Sequence, residues 1–251
     1  MAEFDGVRAK LYIEALKDYP FARKSDIDLM LKYLDPKPDE TILEIGAGNG
    51  LFSGHLADSL LPNGSLYVSD PSKEQLSGVT ELNRKNIVIK NNGADNLELP
   101  DNMFDAIWSF GAMHHCFAKQ KSFQNFNKIL KTGGRIVIGD VFVGTNLAKH
   151  FDDKVAKFCA TGHEVAFWSK EYAESLCFLN GFEKPTFIDF DANWAFENRV
   201  DVGDFLYKLH AMTKTTVDDC QRGAEEILGI KEKDGKYYLG WPMTFIVTRK
   251  K

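Results

Sequence analysis

The most informative residues form a glycine-rich segment at the end of one apolar run, and an acid closes the next such run. Residues 41–50 read Thr-Ile-Leu-Glu-Ile-Gly-Ala-Gly-Asn-Gly, so the glycines fall where a strand must turn sharply into a helix. Asp70 follows 20 residues after Gly50. A carboxylate at that place in a doubly wound sheet accepts the hydroxyls of a ribose. Together these features predict a nucleoside site.

The spacing of the glycines separates two classes of nucleoside. Leu51 stands three positions after Gly48, where the dinucleotide pattern Gly-x-Gly-x-x-Gly requires a glycine. Glu44 would lie unfavourably beside a pyrophosphate, but favourably beside the cationic amino-acid group of a sulfonium nucleoside. The sequence therefore disfavours a nicotinamide oxidoreductase.

Short apolar runs alternate with segments of helical period, which is typical of a parallel α/β sheet. Two amphipathic helices are predicted in the first 35 residues, separated by Tyr19, Pro20 and Phe21. Residues 131–134 are predicted as a turn, and residues 141–168 as a less regular stretch. The predicted strands are residues 41–45, 65–69, 87–90, 104–110, 135–140, 187–190 and 243–248. The later predicted helices are residues 51–60, 72–83, 120–130, 169–181, 202–212 and 217–228.

The predicted fold is α/β: a Rossmann-like, seven-stranded, mostly parallel sheet with helices on both faces and a helical cap. We expect a single domain over residues 1–251. Within it, residues 1–38 form the N-terminal cap and residues 39–141 the cofactor-binding half. Residues 142–186 and 192–235 form cap or lid segments, and residues 236–251 the final strand region. An insertion of about forty residues before the last strand is typical of a functional excursion.

Composition excludes several classes of protein. A hydrophobic content of 44% supports one large domain, and the net charge of −5 offers no broad attraction to nucleic acid. No apolar stretch approaches the roughly 18 to 20 residues of a membrane span, and the start lacks the pattern of a signal peptide, so we predict a cytoplasmic protein. The four cysteines lie far apart with no Cys-x-x-Cys pair, so we expect reduced thiols, and we predict no metal site.

Residues 42–140 resemble a class I S-adenosylmethionine-dependent methyltransferase. The resemblance rests on Glu44 to Gly50, on Asp70, on the segment Gly-Ala-Asp at residues 93–95 with Phe-Asp at 104–105, and on Leu-Lys-Thr-Gly-Gly-Arg at 130–135. The overall layout is most similar to the ubiquinone/menaquinone C-methyltransferase-like group and its natural-product relatives.

The resemblance implies S-adenosylmethionine as cofactor and S-adenosylhomocysteine as product. Relatives commonly have an acid before the alanine at residue 94, whereas here an acid follows it. The implied cofactor-binding residues are Glu44, Gly46, Ala47, Gly48, Gly50, Asp70, Pro71, Ala94, Asp95 and Phe110.

Side chains that follow the fourth and fifth strands of such a sheet face the reacting centre. Histidine titrates near neutrality and can take a proton from an acceptor, so His114, His115 and His163 are the candidate catalytic residues. Many relatives carry a His-His stretch whatever their substrate, so a ring could instead shape the pocket. The candidate substrate-binding residues are Tyr19, Met113, Asp140 and Trp168, of which Asp140 could also orient a histidine or anchor a loop.

Segments outside the sheet are rich in aromatic residues, which line many small-ligand pockets. The predicted function is in-line methyl transfer to a small, aromatic or apolar organic acceptor. Two alternatives remain open: a catalytically inactive S-adenosylmethionine-binding or regulatory protein, and an arsenic methyltransferase, which the residues around Cys159 faintly resemble. The identity of the acceptor and the oligomeric state are left open.

Overall fold

The computed structural model describes residues 4–251, so residues 1–3 of the predicted cap lie outside the described residues. The strands are β1 (Thr41–Ile45), β2 (Ser65–Ser69), β3 (Ile87–Lys90), β4 (Phe104–Phe110), β5 (Leu130–Asp140), β6 (Thr186–Phe196), β7 (Ile230–Lys233) and β8 (Lys236–Arg249). The α-helices are α1 (Val7–Asp18), α2 (Lys24–Leu34), α3 (Ser53–Ser59), α4 (Leu76–Glu81), α5 (Lys119–Ile129), α6 (Asn146–His150), α7 (Ala156–Phe158), α8 (Lys170–Leu179), α9 (Arg199–Leu209) and α10 (Val217–Ile227).

One sheet contains these strands in the order β3-β2-β1-β4-β5-β8-β6, with β7 paired to β8 off this path. Strands β1 to β5 pair in parallel, and β8 pairs antiparallel with β5, β6 and β7. The Rossmann-like, mostly parallel sheet is therefore confirmed. Because the strand order reverses between β1 and β4, the loops after these two strands open a crevice at their carboxyl ends.

Helices cover both faces of the sheet, as predicted. Successive residues of β4 point to opposite faces, so Trp108 belongs to one buried cluster and Ile107 to the other. The first cluster includes Met30 of α2 and Phe205 of α9, whereas the second includes Phe123 of α5.

Strands β6 and β8 are much longer than predicted. Beyond Phe190, the side chains of Ala192 and Trp194 are buried while Asp191 and Asn193 are exposed, which is the alternation of a half-buried strand. The added part of β8 pairs with β6 on one side and with the unpredicted strand β7 on the other. The sheet therefore has eight strands among the described residues, rather than seven.

The stretch after β5 is more regular than predicted. Helix α6 begins after Thr145, whose Oγ1 accepts a hydrogen bond from the Ala148 N–H at 3.1 Å. A π-helical turn at Phe151–Val155 continues it into α7. Leu147, Phe151 and Val155 recur every four residues and are buried, so one apolar face fixes this excursion on the molecule.

The predicted turn at residues 131–134 lies instead within β5, where the pairing register shifts between Phe104 and Ala106. Gly133 has a φ of +77°, and its N–H donates to the Lys250 carbonyl at 2.9 Å. The irregularity is thus a β-bulge, and Lys250, the residue after β8, is hydrogen-bonded to it.

The loop between α1 and α2 covers the outer edge of β6. The Ala195 N–H donates to the Ala22 carbonyl at 3.1 Å, and Asp26 of α2 accepts a hydrogen bond from Trp194 Nε1 at 2.9 Å. Arg23 forms a 2.6 Å ion pair with the same carboxylate. The N-terminal helices are therefore joined to the sheet through a buried polar cluster.

No helix between residues 4 and 251 is long and apolar enough to cross a membrane.

Candidate functional site

The chain leaves β1 through a turn that only glycine can form. Gly46, Gly48 and Gly50 have φ values of +70°, +53° and +91°. A Cβ atom added to Gly46 would lie 2.2 Å from the Cβ of Ala112, far inside a van der Waals contact. The backbone of this turn therefore approaches the loop after β4 more closely than any side chain would allow.

Asp70 follows β2 and holds the glycine turn from the other side. Its Oδ2 accepts the Gly48 N–H at 2.9 Å, and its Oδ1 accepts the Ser72 N–H at 2.8 Å. Burial raises the pKa of Asp70, and these two hydrogen bonds oppose that rise. Each carboxylate oxygen has a further lone pair, so a ligand hydroxyl can still be accepted.

A cavity of about 360 Å³, here called the glycine cavity, opens between the turn and the loop after β4. Of the predicted cofactor residues, the five that line it are Gly46, Gly48, Asp70, Pro71 and Phe110.

A second cavity of about 330 Å³, here called the Ala94 cavity, adjoins the glycine cavity. Gly46, Pro71 and His115 line both. Ala94 and Asp95 both line the second cavity, and the Ala94 carbonyl accepts a hydrogen bond from Asn125 at 3.1 Å. The two cavities together offer an elongated space along the carboxyl ends of β1, β2 and β4.

The other predicted cofactor residues, Glu44 in β1 and Ala47 and Gly50 in the glycine turn itself, line neither cavity. The carboxylate of Glu44 is 1% exposed and accepts a 2.6 Å hydrogen bond from the Ser53 hydroxyl. Burial raises the pKa of Glu44 to about 8. The Glu44 side chain therefore supports the turn from within, whereas the sequence predicts that it faces a cationic ligand group.

Gln75 is a site residue that the sequence did not indicate. Its side chain is buried and lines the glycine cavity, and neither amide atom, Oε1 nor Nε2, has a hydrogen-bond partner among residues 4–251. A buried amide without partners is costly unless a ligand satisfies it.

A third, small cavity of about 70 Å³, here called the histidine cavity, lies beyond the glycine cavity. His114, His115 and His163 all line it, so the structure brings the three candidate catalytic residues together. The ring centroids of His114 and His115 are 4.2 Å apart, and those of His115 and His163 are 5.2 Å apart. The other walls include Arg8, Arg23, Phe151, Trp194, His210 and Trp241.

Asp140 orients His114 from behind this wall. It is fully buried, and its Oδ1 lies 2.6 Å from His114 Nδ1. The N–H groups of His114 and Val141 and the indole N–H of Trp168 also donate to this carboxylate. Burial would raise the pKa of Asp140, but the facing His114 and these donors hold it below its usual value. The Nδ1 contact leaves His114 Nε2 for other partners.

The sequence predicts Asp140 and Trp168 as substrate-binding residues, and the structure has them hydrogen-bonded to each other beside His114. Neither residue lines any of the three cavities, and both position His114 instead. Tyr19 is also displaced from the site, because its hydroxyl donates to Asp204 at 2.8 Å and its ring packs on Phe205. Met113 lines the Ala94 cavity rather than the histidine cavity.

Further wall residues of the histidine cavity come from helices distant in sequence. Arg8 belongs to α1, and His210 follows α9 directly. Arg8 donates to the Thr161 hydroxyl and the Gly162 carbonyl, and its guanidinium lies 4.1 Å from the Phe4 ring centroid. No local motif marks these positions, because their place depends on how the helices dock on the sheet.

A larger cavity, of about 640 Å³, lies elsewhere, along α8 and the β6–β8 pair. It shares Met243 with the histidine cavity but contains no residue of the glycine turn. Its charged lining residues, Lys170, Glu171, Asp189 and Asp191, are apart from the residues that the sequence predicts for the cofactor, so size alone does not identify the site.

Comparison with known proteins agrees with this geometry. Residues 43–138 match the family described as Methyltransferase domain. The chain is 30% identical over 125 residues to the uncharacterized methyltransferase YcgJ of Bacillus subtilis, covering 48% of each chain. It is 25% identical over 107 residues to the ubiquinone/menaquinone biosynthesis C-methyltransferase UbiE of Vibrio cholerae, covering 41% of each. The chain spans about half the length of the curated relatives it matches first.

The similarity in three dimensions extends over more of the chain. The crystal structure of YcgJ from Bacillus subtilis superposes with a TM-score of 0.63 at 18% identity, covering 91% of this chain and 98% of that one. The sheet order and the glycine turn agree with this match, so residues 43–138 match a methyltransferase domain in sequence and the chain is similar to the YcgJ structure in fold.

Proposed function

We propose that this protein transfers a methyl group from S-adenosylmethionine to a small organic acceptor that binds in the histidine cavity. The observation that carries the proposal is the wall shared by the glycine and histidine cavities. Five residues line both: Phe4, Tyr12, Phe110, Gly111 and His115. A ligand in one cavity therefore lies next to a ligand in the other, as a transfer between them requires.

The glycine and Ala94 cavities fit the two ends of the cofactor. Asp70 would accept the ribose hydroxyls, and Ala94 with Asp95 would contact the adenine. The unpartnered amide of Gln75 would hydrogen-bond the ribose or the amino-acid group. Bound S-adenosylmethionine supplies an activated methyl group, and its transfer leaves S-adenosylhomocysteine.

The chain's own contribution to transfer is alignment and the exclusion of water. Phe110 and Gly111 form the floor between the two cavities, and His115 reaches all three. Where the acceptor carries a proton, His114 is placed to take it through Nε2, because Asp140 at Nδ1 would stabilise the resulting imidazolium. His115 and His163 would then shape the acceptor site around His114.

The histidine cavity indicates the class of acceptor. Aromatic rings of Phe151, Trp194 and Trp241 form much of its wall, which favours a flat or apolar ligand. Its volume of about 70 Å³ is smaller than the roughly 150 Å³ that holds a benzene ring. A ring-sized acceptor must therefore displace a wall residue such as Phe4, whose ring centroid lies 5.1 Å from that of His115.

The arsenic methyltransferase alternative finds no support in the thiols. Among the described residues, no three cysteines lie close enough to bind one metalloid. Burial raises the pKa of Cys177 to about 11 and that of Cys220 to about 12, which disfavours the thiolate form. Cys159 is fully buried within the core.

A binding assay and a transfer assay separate an enzyme from an inactive binding protein. We expect Asp70→Ala to weaken S-adenosylmethionine binding by about 1 to 3 kcal/mol in calorimetry, through the loss of charge-assisted hydrogen bonds. Asp58→Ala is the matched control, because Asp58 pairs with Arg84 on the surface. Equal affinities of the two variants would refute the ribose placement.

The second assay uses methyl-labelled S-adenosylmethionine with fractionated cell extract. Label in a small-molecule fraction supports the proposed function and ranks the acceptor's polarity, whereas label on protein or nucleic acid overturns the acceptor class. Cofactor binding without any transfer across fractions would favour the inactive binding protein.

A further inference from the structure

Five of the protein's six histidines lie in one region. His114, His115, His163 and His210 line the histidine cavity, and the His150 ring packs against Phe151 and Trp241 of its wall. The sixth, His55, is exposed on α3. A single proton transfer requires one or two histidines, so this concentration calls for another explanation.

Three of these rings present nitrogen atoms to a common point. One ring nitrogen from each of His114, His115 and His163 lies within 4.8 Å of the other two. His163 is only 8% exposed, and its Nδ1 is buried without a hydrogen-bond partner among residues 4–251. A buried imidazole nitrogen without a partner is costly, and a bound ligand would remove that cost.

We infer that His114, His115 and His163 bind a divalent transition-metal ion of the Zn²⁺ class, each through one ring nitrogen. Imidazole nitrogen is a preferred ligand of Zn²⁺ and its neighbours, and three histidines leave a coordination position open. In the metal-bound protein His114 Nε2 is a ligand rather than a base, and the acceptor would approach the open coordination position. Metal binding itself does not depend on the proposed methyl transfer.

The environment of His114 supports a ligating role. Metal-bound histidines almost always donate their other ring N–H to a carboxylate or a carbonyl, which fixes the ring and raises its basicity. Asp140 occupies that position at 2.6 Å from Nδ1, and Trp168 Nε1 and two backbone N–H groups hold the carboxylate in turn. The Asp140 contact at Nδ1 thus leaves His114 Nε2 as the nitrogen available to a metal ion.

The size of the cavity matches an ion with one or two small ligands. Its volume of about 70 Å³ equals roughly two water molecules at ~30 Å³ each. Tetrahedral Zn²⁺ with bonds of about 2.0 to 2.1 Å requires ligand nitrogens about 3.4 Å apart. The nitrogens now lie within 4.8 Å of one another, so ring rotations must draw them together by up to about 1.4 Å.

The charges around the site indicate what would complete the coordination. Asp140 supplies one negative charge behind His114, and Asp26 neutralises Arg23. An anionic oxygen or thiolate in the open position would offset the charge of the ion, and it would lie beside the glycine cavity through His115.

The test uses tag-free full-length protein stripped of metal by a chelator, without S-adenosylmethionine. We expect Zn²⁺ calorimetry to give one ion per chain, and Co²⁺ to give the visible absorption of a low-coordinate nitrogen site. His163→Gln should weaken both by more than about tenfold, while His55→Gln should change neither. Binding well below one ion per chain, or equal effects of the two variants, would overturn the inference.

Folding and cofactor binding are controlled separately. The thermal midpoint and the affinity for S-adenosylmethionine of His163→Gln should remain near those of the unaltered protein, so that a lost metal site is not mistaken for lost structure. Zinc-edge X-ray absorption of the unaltered protein gives a second, variant-free result. Three imidazole ligands support the site, and fewer than three contradict it.

Discussion

The glycine cavity and the histidine cavity share a wall but are built by different means. The first is formed by loops that follow β1, β2 and β4, and its main elements are the Gly46 and Gly48 backbone and one carboxylate, Asp70. The second also uses the loop after β4, but it adds side chains from α1, α9, β6, β8 and the excursion after β5, which are distant in sequence. The shape of the first cavity therefore depends mainly on backbone geometry, whereas the shape of the second depends mainly on side-chain orientation. The effects of substitutions should divide along this line.

The largest expected effect concerns Glu44, which supports the glycine turn from within. Its pKa is raised from 4.5 to about 8 in the folded protein. As the pH rises above 4.5, the unfolded chain releases this proton while the folded chain retains it, so the free energy of unfolding falls until about pH 8. We expect the fall between pH 5 and pH 8 to be on the order of 3 to 4 kcal/mol.

Urea unfolding at several pH values measures this fall, and Glu44→Gln is the matched variant because it keeps the shape and an acceptor for the Ser53 hydroxyl. The difference in stability between the two proteins should grow with pH. Parallel profiles would show that Glu44 is ionised in the folded protein.

The next effect concerns the support of the histidine cavity. Asp140→Asn removes the negative charge that faces His114. Four groups donate hydrogen bonds to the carboxylate, and at least one of them would face the amide NH2 group, which cannot accept. We expect a loss of about 3 kcal/mol of stability, and a loss of metal affinity of about 10- to 100-fold. The affinity for S-adenosylmethionine should not change, because Asp140 lines neither cofactor cavity. A parallel loss of cofactor affinity would show that the two cavities are not separable.

Gly46→Ala tests the glycine cavity. The added Cβ meets Ala112 at a positive φ, so we expect the affinity for S-adenosylmethionine to fall by about 2 kcal/mol, roughly thirtyfold, in calorimetry. Gly133→Ala is the control, since Gly133 also has a positive φ but has no atom within 4 Å of the added Cβ. That variant should lose some stability and keep its affinity. A similar loss of affinity in both variants would point to a general effect of strain.

The smallest expected effect lies outside both cavities. Tyr19→Phe removes a hydrogen bond to Asp204 at the α1–α9 contact, which should cost about 1 kcal/mol of stability in thermal or urea unfolding. Cofactor and metal affinities should stay the same. A selective loss of either affinity would indicate that Tyr19 contributes to the site, as the sequence predicts.

The same division explains what could be predicted from sequence. The bounds of β1, β2, β3 and β4 follow from apolar runs closed by turn residues, such as Pro62-Asn63-Gly64 before β2. Gly46 and Asp70 were found because their spacing is local. The outer parts of β6 and β8 were missed because polar residues and Pro242 interrupt their apolar character. His210 and Gln75 were missed because tertiary packing alone brings them to a cavity.

The cover over the edge of β6 has a consequence for self-association. An edge strand of eleven residues offers a row of unpaired backbone groups to which another chain can add. One of these groups, the Ala195 N–H, donates to the Ala22 carbonyl. The carboxylates of Asp189 and Asp191 place negative charge along the rest of the strand. The N-terminal helices thus protect the sheet from intermolecular strand pairing. Truncated proteins that lack these helices should aggregate while the glycine turn is still folded.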